Sequence, residues 1–306
     1  MIIVLAGKFK WTNDDLLFFQ NHGNNELLIM EDEEDVLSIS EENVDVVIGN
    51  WFFKYHELEK FKNLKYIQLL SSGYNGIDPD AVQKMGITIC NAKDVYSIPI
   101  SEFVISRLLS FYKNEKFFIE KQKEHNWHKL REIEEIYGKR VLIIGTGSIG
   151  NSIASRIGAF TSEVYGCNRT IRHNSLYKEI FPLVDLREVI SSFDIIILSI
   201  ALTKDTKHII DSDVFELLNR GSILVNVSRG QCIDESALEK ALLSNHRIGG
   251  AILDVFEDEP SSEHSPLWDL DNVLISPHNA FVSNYNASRL RTVIMRNFDQ
   301  WVKMNG

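Results

Sequence analysis

Gly145, Gly147 and Gly150 stand as G-T-G-S-I-G directly after the apolar run RVLII and directly before NSIASRIGAF, a run compatible with a helix. A strand, a glycine turn and a helix N-terminus in that order make an anion site suited to a pyrophosphate. The first glycine permits the turn, the second lets the main chain approach the phosphates, and the third lets strand and helix pack closely. Gly145, Thr146, Gly147, Ser148, Ile149 and Gly150 are therefore the expected dinucleotide loop. About 20 residues further on, at the end of the next strand, such sites carry the residue that selects the ribose. EVYGCNRT lies there and holds no aspartate: Asn168 takes the place, followed by Arg169, Thr170 and Arg172. Asparagine does not repel a 2′-phosphate as a carboxylate does, and guanidinium groups bind phosphate. NADP(H) is the expected cofactor, with NAD(H) as the alternative; in a second reading the arginines only cap a solvent-facing loop.

Three further segments follow runs that read as strands: VNVSRG at 225–230, LDVFEDEP at 253–260 and SPHNA at 276–280. In open α/β sheets, ligands bind outside the carboxyl ends of the strands. Together with GTGSIG, the order, spacing and flanks of these segments resemble the D-isomer-specific 2-hydroxyacid dehydrogenase family across nearly the whole chain, in the manner of an NADPH-preferring glyoxylate/hydroxypyruvate reductase-like member. The resemblance implies two α/β domains, one flavodoxin-like and one a Rossmann doubly wound parallel sheet, with the site in a cleft. It implies reduction of a small 2-keto acid to the D-2-hydroxy acid, and a catalytic set that falls on Arg229, Glu259 and His278. Glu259 is preferred to Glu257 and Asp258 because the family sets its glutamate just before a proline.

The chemistry asks for such groups on its own account. Hydride delivered to a keto carbon leaves negative charge on oxygen, and histidine ordinarily changes charge near neutrality, so it can supply the proton. A neighbouring carboxylate orients the ring and favours the imidazolium. The fixed fork of an arginine can hold the substrate carboxylate or keto oxygen, which a lysine would do poorly.

The same resemblance assigns further residues. It places Val227, Ser228 and Asp254 beside the cofactor, the last as a partner of the nicotinamide carboxamide, with a structural cap as the other reading. It brings Leu202 and Thr203 of ALTKDTKHIID near the adenosine half, and it makes Ser72, Gly73 and Tyr74 of SSGYNGID the loop whose N–H groups receive the substrate carboxylate. The usual pattern often has a histidine where Gly76 stands, and Tyr74 has core packing as its other reading. Asn50, Trp51 and Phe52 follow the strand DVVIG, where a loop can contact the substrate side chain; domain packing is the competing role for Trp51. A homodimer is expected by resemblance, and no metal is expected, since Cys90, Cys167 and Cys232 form no CxxC pair and read as small buried hydrophobes.

The elements that must position these loops are legible as alternating runs. IIVL, ELLIM, DVVIG, KYIQLL and ITIC form one series of strands, and RVLIIG, EVYGC, DIIILSI, GSILVNV, GGAILDV and NVLIS a second. Residues 97–112 have helical periodicity with Pro99 near the start. The strongly charged residues 113–137, around Trp127, are either an arm that covers a partner subunit or a surface helix. Residues 283–304 read as a helix returning to the first series. The expected domains are 1–96 with 284–306 for substrate and 97–283 for the dinucleotide.

With 306 residues, 44% hydrophobic and 25% charged, the chain has room for two cores. The acidic run 31–35 reads as a solvated face. A formal charge of -11 disfavours nucleic acid, and the absence of a signal-like leader or a long apolar run argues against membranes and for the cytoplasm. Two rival functions remain: a related dehydrogenase acting on phosphoglycerate, formate or phosphite, and a nucleotide-sensing scaffold of the corepressor type.

Overall fold

The computed structural model describes residues 1–74, 76–243 and 248–305. The chain forms two compact units, Met1–Tyr96 with Ser283–Gly306, and Ser97–Val282. In the first, the aliphatic runs become β1 (Ile2–Ala6), β2 (Glu26–Met30), β3 (Val46–Gly49), β4 (Tyr66–Leu69) and β5 (Thr88–Cys90). They pair in parallel in the order β2-β1-β3-β4-β5. β3 and β4 are buried at every position, as strands covered on both faces must be.

The terminal helix runs Asn286–Asn305, starting three residues later than the periodicity suggests. The Ser283 hydroxyl accepts the Tyr285 N–H at 3.2 Å and makes a turn of the intervening residues. Leu290, Val293, Ile294, Phe298 and Trp301 recur at helical spacing and pack on Ile3, Leu5, Phe19 and Tyr66, so this helix closes one face of the first sheet.

The second unit holds β6 (Val141–Ile144), β7 (Val164–Asn168), β8 (Ile180–Pro182), β9 (Ile195–Leu198), β10 (Ile223–Asn226), β11 (Gly250–Leu253) and β12 (Val273–Ile275). Their order is β12-β11-β10-β9-β6-β7-β8, again parallel. Sequence reading missed β8. It is three residues long, ends in proline and lies at the sheet edge, the position that tolerates a residue without an N–H.

The helix Ser97–Tyr112 packs on the helix Ser148–Ile157 through small residues, with the Ser101 and Ser152 hydroxyls 2.9 Å apart and those of Ser97 and Ser148 also hydrogen-bonded. Of the charged segment, Glu115–Lys123 is helical and residues 126–135 have no regular structure; Trp127 there is 93% exposed.

Two sequence expectations need correction. The run 31–35 is not uniformly solvated, because Glu33 turns its carboxylate onto the main chain of Asn50 and Trp51. Cys90 is half-buried, unlike Cys167 and Cys232. Among the described residues no helix is long and apolar enough to cross a membrane.

Candidate active site

In the second unit, each motif singled out from the sequence follows a strand, and because all strands are parallel these loops emerge at one edge of the sheet. The register sets Asn226, Leu253 and Ile275 side by side at the ends of β10, β11 and β12. Arg229 follows three residues after the first, Asp254 one after the second, and His278 three after the third. The strand order reverses between β6 and β9, the point at which open α/β sheets leave a crevice for ligand.

The glycine loop lies at that reversal. A Cβ on Gly150 would stand 2.0 Å from the Gly145 carbonyl oxygen, so strand and helix meet there with no room for a methyl group. Gly147, by contrast, has no neighbour within 4 Å of a Cβ position. It precedes the helix Ser148–Ile157, whose N-terminus has no side-chain cap, which leaves its first N–H groups open to an anion. The Ser148 hydroxyl is hydrogen-bonded to that of Ser97.

A cleft of about 340 Å³ runs beside the loop, lined by Gly145, Gly147, Asn168, Arg169, Ser199, Ala201, Thr203, Asp205 and Thr206 among others. Thr203 lines it and Leu202 does not; Thr170 and Arg172 are exposed and also lie outside the lining. An open glycine, an uncapped helix and a largely apolar cleft carrying Asn168, Arg169, Ser199 and Thr203 at the switch point fit a dinucleotide.

The catalytic candidates are held by main-chain clamps. Asp254, 2% exposed, accepts the Ser276 hydroxyl at 2.6 Å and the N–H groups of Asn279 and Ala280 at 2.8 and 3.0 Å, while its carbonyl accepts the His278 N–H at 2.7 Å. His278 has φ +50, a conformation that costs a non-glycine residue about 1 kcal/mol and that these bonds enforce. Asp254 is therefore a cap for the histidine loop, the structural reading left open by the sequence. His278 Nδ1 lies 2.8 Å from Glu259 Oε2, both side chains being about 40% exposed. Glu257 pairs with His208 instead.

Arg229 is half-buried. Burial lowers its guanidinium from its ordinary value, with Cys232 and Glu259 acting in the opposite sense. Gly230 allows this turn to meet the loop after β11, since a Cβ there would fall 1.8 Å from the Phe256 carbonyl carbon.

Two supporting residues escaped sequence reading. Buried Asn226 accepts the Ser228 N–H and hydroxyl at 3.0 and 2.8 Å and donates to the Arg229 carbonyl at 3.0 Å. The signal for it was a lone amide inside the apolar run ILVNV. Buried Thr206 accepts the Thr203 N–H and donates to the Ala201 carbonyl, both at 2.7 Å, and so shapes the cleft wall.

In the first unit, Ser72, Gly73 and Tyr74 follow β4. Their carbonyl side is tied down: Ser71 Oγ donates to the Gly73 carbonyl at 2.9 Å and Asn91 Nδ2 to that of Ser72 at 2.7 Å. No acceptor for the N–H groups of Ser72, Gly73 and Tyr74 is present among the described residues. Tyr74 is 40% exposed, which removes its core-packing reading.

The family model for the NAD binding domain of D-isomer specific 2-hydroxyacid dehydrogenases matches residues 105–280. The chain belongs to that family. It is thus an oxidoreductase that uses a nicotinamide cofactor on 2-hydroxyacids. A glyoxylate/hydroxypyruvate reductase of Arabidopsis thaliana is 32% identical over 243 residues, 78% of this chain and 74% of that one. A D-isomer specific 2-hydroxyacid dehydrogenase family protein of Aeromonas salmonicida superposes with a TM-score of 0.83 at 26% identity, covering 99% of this chain and 96% of that one. The NADPH-dependent glyoxylate/hydroxypyruvate reductase of Sinorhizobium meliloti, solved with NADP and malonate, gives 0.79 at 25% identity, covering 98% and 93%.

Proposed function

We propose that this dehydrogenase reduces a small 2-keto acid, of the size of glyoxylate or hydroxypyruvate, to the D-2-hydroxy acid with NADPH as the preferred donor. The observation that carries the reading is the His278–Glu259 pair at 2.8 Å, held one strand away from the loop that carries Arg229. Bound NADPH supplies the hydride. His278 gives the proton to the oxygen that becomes the hydroxyl, and it does so from Nε2, because Nδ1 is engaged by Glu259. Glu259 fixes the ring and balances its charge. Arg229 draws the keto oxygen or carboxylate into a fixed position, and its burial strengthens that attraction.

In the first unit, the open N–H groups of Ser72, Gly73 and Tyr74 suit a carboxylate. On this reading residues 97–283 serve the dinucleotide, and 1–96 with 284–306 the substrate. The names of the Arabidopsis and Sinorhizobium relatives favour the same substrates.

NADPH preference is supported by Asn168 and Arg169 in the lining of the cleft, with no carboxylate at the end of β7. Asp205 lines the same cleft and opposes a phosphate, so the preference is a balance of charges. The exposed Trp127, with Phe118 and Leu130 in an open cavity of about 830 Å³, supports a second copy of the chain as its cover. Trp127→Glu should then shift a dimer toward monomer in sedimentation.

The test of the reaction is the initial rate of NADPH and of NADH oxidation with glyoxylate, hydroxypyruvate, pyruvate and longer 2-keto acids, with chiral analysis of glycerate formed from hydroxypyruvate. Glycolate has no stereocentre, so the second substrate decides handedness. L-glycerate as product, or equal efficiency with both donors, would remove the corresponding part of the proposal.

A further inference from the structure

The strands of the first sheet are all parallel, so the loops after β1, β2, β3 and β4 share one edge, and the strand order reverses between β1 and β3. Glu33, three residues beyond β2, lays its carboxylate across the loop after β3: one oxygen accepts the Asn50 N–H and the other the Trp51 N–H, both in short hydrogen bonds. The Glu33 carbonyl takes His56 Nε2 at 2.8 Å, and the His56 ring stacks on buried Phe52 at 4.1 Å. One residue therefore ties both ends of the short helix Phe52–Tyr55. Trp51 is left 39% exposed, with its ring against Gly76 in the loop after β4. A Cβ on Gly76, which has φ +89, would meet Trp51 Cε3 at 2.9 Å.

We propose that Glu33 is a positioning residue: by clamping the main chain of Asn50 and Trp51 it holds the Trp51 indole over Gly76, and so limits the size of the substituent on the 2-keto acid. This rests on the reading of Trp51 and the 72–74 loop as serving the substrate. A carboxylate suits the task because its two oxygens match two successive N–H groups in charge-assisted bonds. Glutamine offers one carbonyl oxygen and alanine none. The size limit follows from the ring: the clamp fixes where the Trp51 main chain starts, and the missing side chain at Gly76 leaves the space that the indole fills.

The experiment measures kcat/KM for glyoxylate, hydroxypyruvate and 2-keto acids lengthened by one and two methylenes. It compares wild type, Glu33→Ala, Glu33→Gln, Trp51→Ala and the Glu33→Ala/Trp51→Ala double variant, alongside amide exchange at residues 50 and 51. Glu33→Ala is expected to lose about tenfold of the preference for short over long acids, the scale of one methylene in a pocket, with KM for NADPH unchanged. Glu33→Gln should fall between, and Glu33→Ala should add nothing once Trp51 is alanine. Unchanged selectivity in Glu33→Ala, or losses that add in the double variant, overturns the proposal. A wild-type protein that reduces no 2-keto acid overturns the substrate reading and the size limit with it. Unchanged exchange at 50 and 51 in Glu33→Ala overturns the clamp while leaving the substrate reading standing.

Discussion

The loop after β6 and the loop after β7 serve the same dinucleotide on the reading above, yet they are built on opposite principles. The first is fixed by main-chain contact: Gly150 meets the Gly145 carbonyl so closely that no side chain fits between them. The second presents exposed Arg169, Thr170 and Arg172, and its one local side-chain bond within 168–172 runs from Asn168 Nδ2 to the Thr170 carbonyl at 3.1 Å. Packing leaves no room for even a methyl group at Gly150. In the second, selectivity on that reading would be the sum of several screened charges, none of which holds the fold. The catalytic loops lie between these extremes, with a buried main-chain clamp and half-exposed reactive side chains.

That intermediate character gives the largest expected effect. His278→Ala should lower kcat by roughly 10³-fold, within the range for loss of a general acid, or about 4 kcal/mol of barrier. Dinucleotide affinity and the urea midpoint should stay near wild type, because the Asp254 bonds go to main-chain N–H groups and the Ser276 hydroxyl and none goes to the His278 ring. Steady-state rates with fluorescence binding of NADPH check this. A loss below tenfold would mean that the proton comes from another group.

Gly150→Ala should act the other way, on stability and cofactor binding together. Overpacking a well-fitted contact costs about 1–3 kcal/mol, and a 2.0 Å approach to main chain places this site at the upper end. Denaturant unfolding and NADPH titration should both show it. A variant that keeps wild-type stability would show that helix and strand can separate, and the contrast between the two dinucleotide loops would lose its basis.

Asp254→Asn tests the clamp with a smaller change. An amide can keep the oxygen that accepts all three partners, but it sets an NH2 against the Ala280 N–H where the second oxygen now accepts at 3.0 Å, at a cost of about 2 kcal/mol. Because the same bonds enforce the φ of His278, kcat should fall with the urea midpoint. An unchanged midpoint with weakened dinucleotide binding would assign Asp254 to the carboxamide rather than to the loop.

These sites also show what was legible beforehand. Apolar runs and glycine spacing announce β6, the turn and its helix because local sterics and burial act within a few residues. β8 was hidden by its brevity and its proline. Glu33 was unreadable because an acid in an acidic run looks solvated, and its partners Asn50 and Trp51 lie across two strand connections. Asp254 could be read as a cofactor contact or as a cap. Only the distances to Ser276, Asn279 and Ala280 reveal the cap, since they depend on β11 and β12 being neighbours. Arg229, Glu259 and His278 were named by motif, but the pairing of Glu257 with His208, which leaves Glu259 beside His278, is a fact of three-dimensional packing.

The smallest expected effect lies in the loosely built loop, and it carries the sharpest form of the comparison. Arg169→Ala should reduce the preference for NADPH over NADH by about tenfold, since an exposed arginine–phosphate contact carries little more than that. Asp205→Asn should raise the preference severalfold by removing the carboxylate that lines the same cleft. Neither change should move the urea midpoint, because both side chains are exposed. The preference itself should shrink as salt rises from 0.05 to about 0.5 M, as the screening length drops below the spacing of separated surface charges. Arg172→Ala, outside the lining, should have less effect than Arg169→Ala. If Arg172 proved the stronger of the two, the phosphate would lie beyond the cleft, and selectivity would belong to the exposed loop alone.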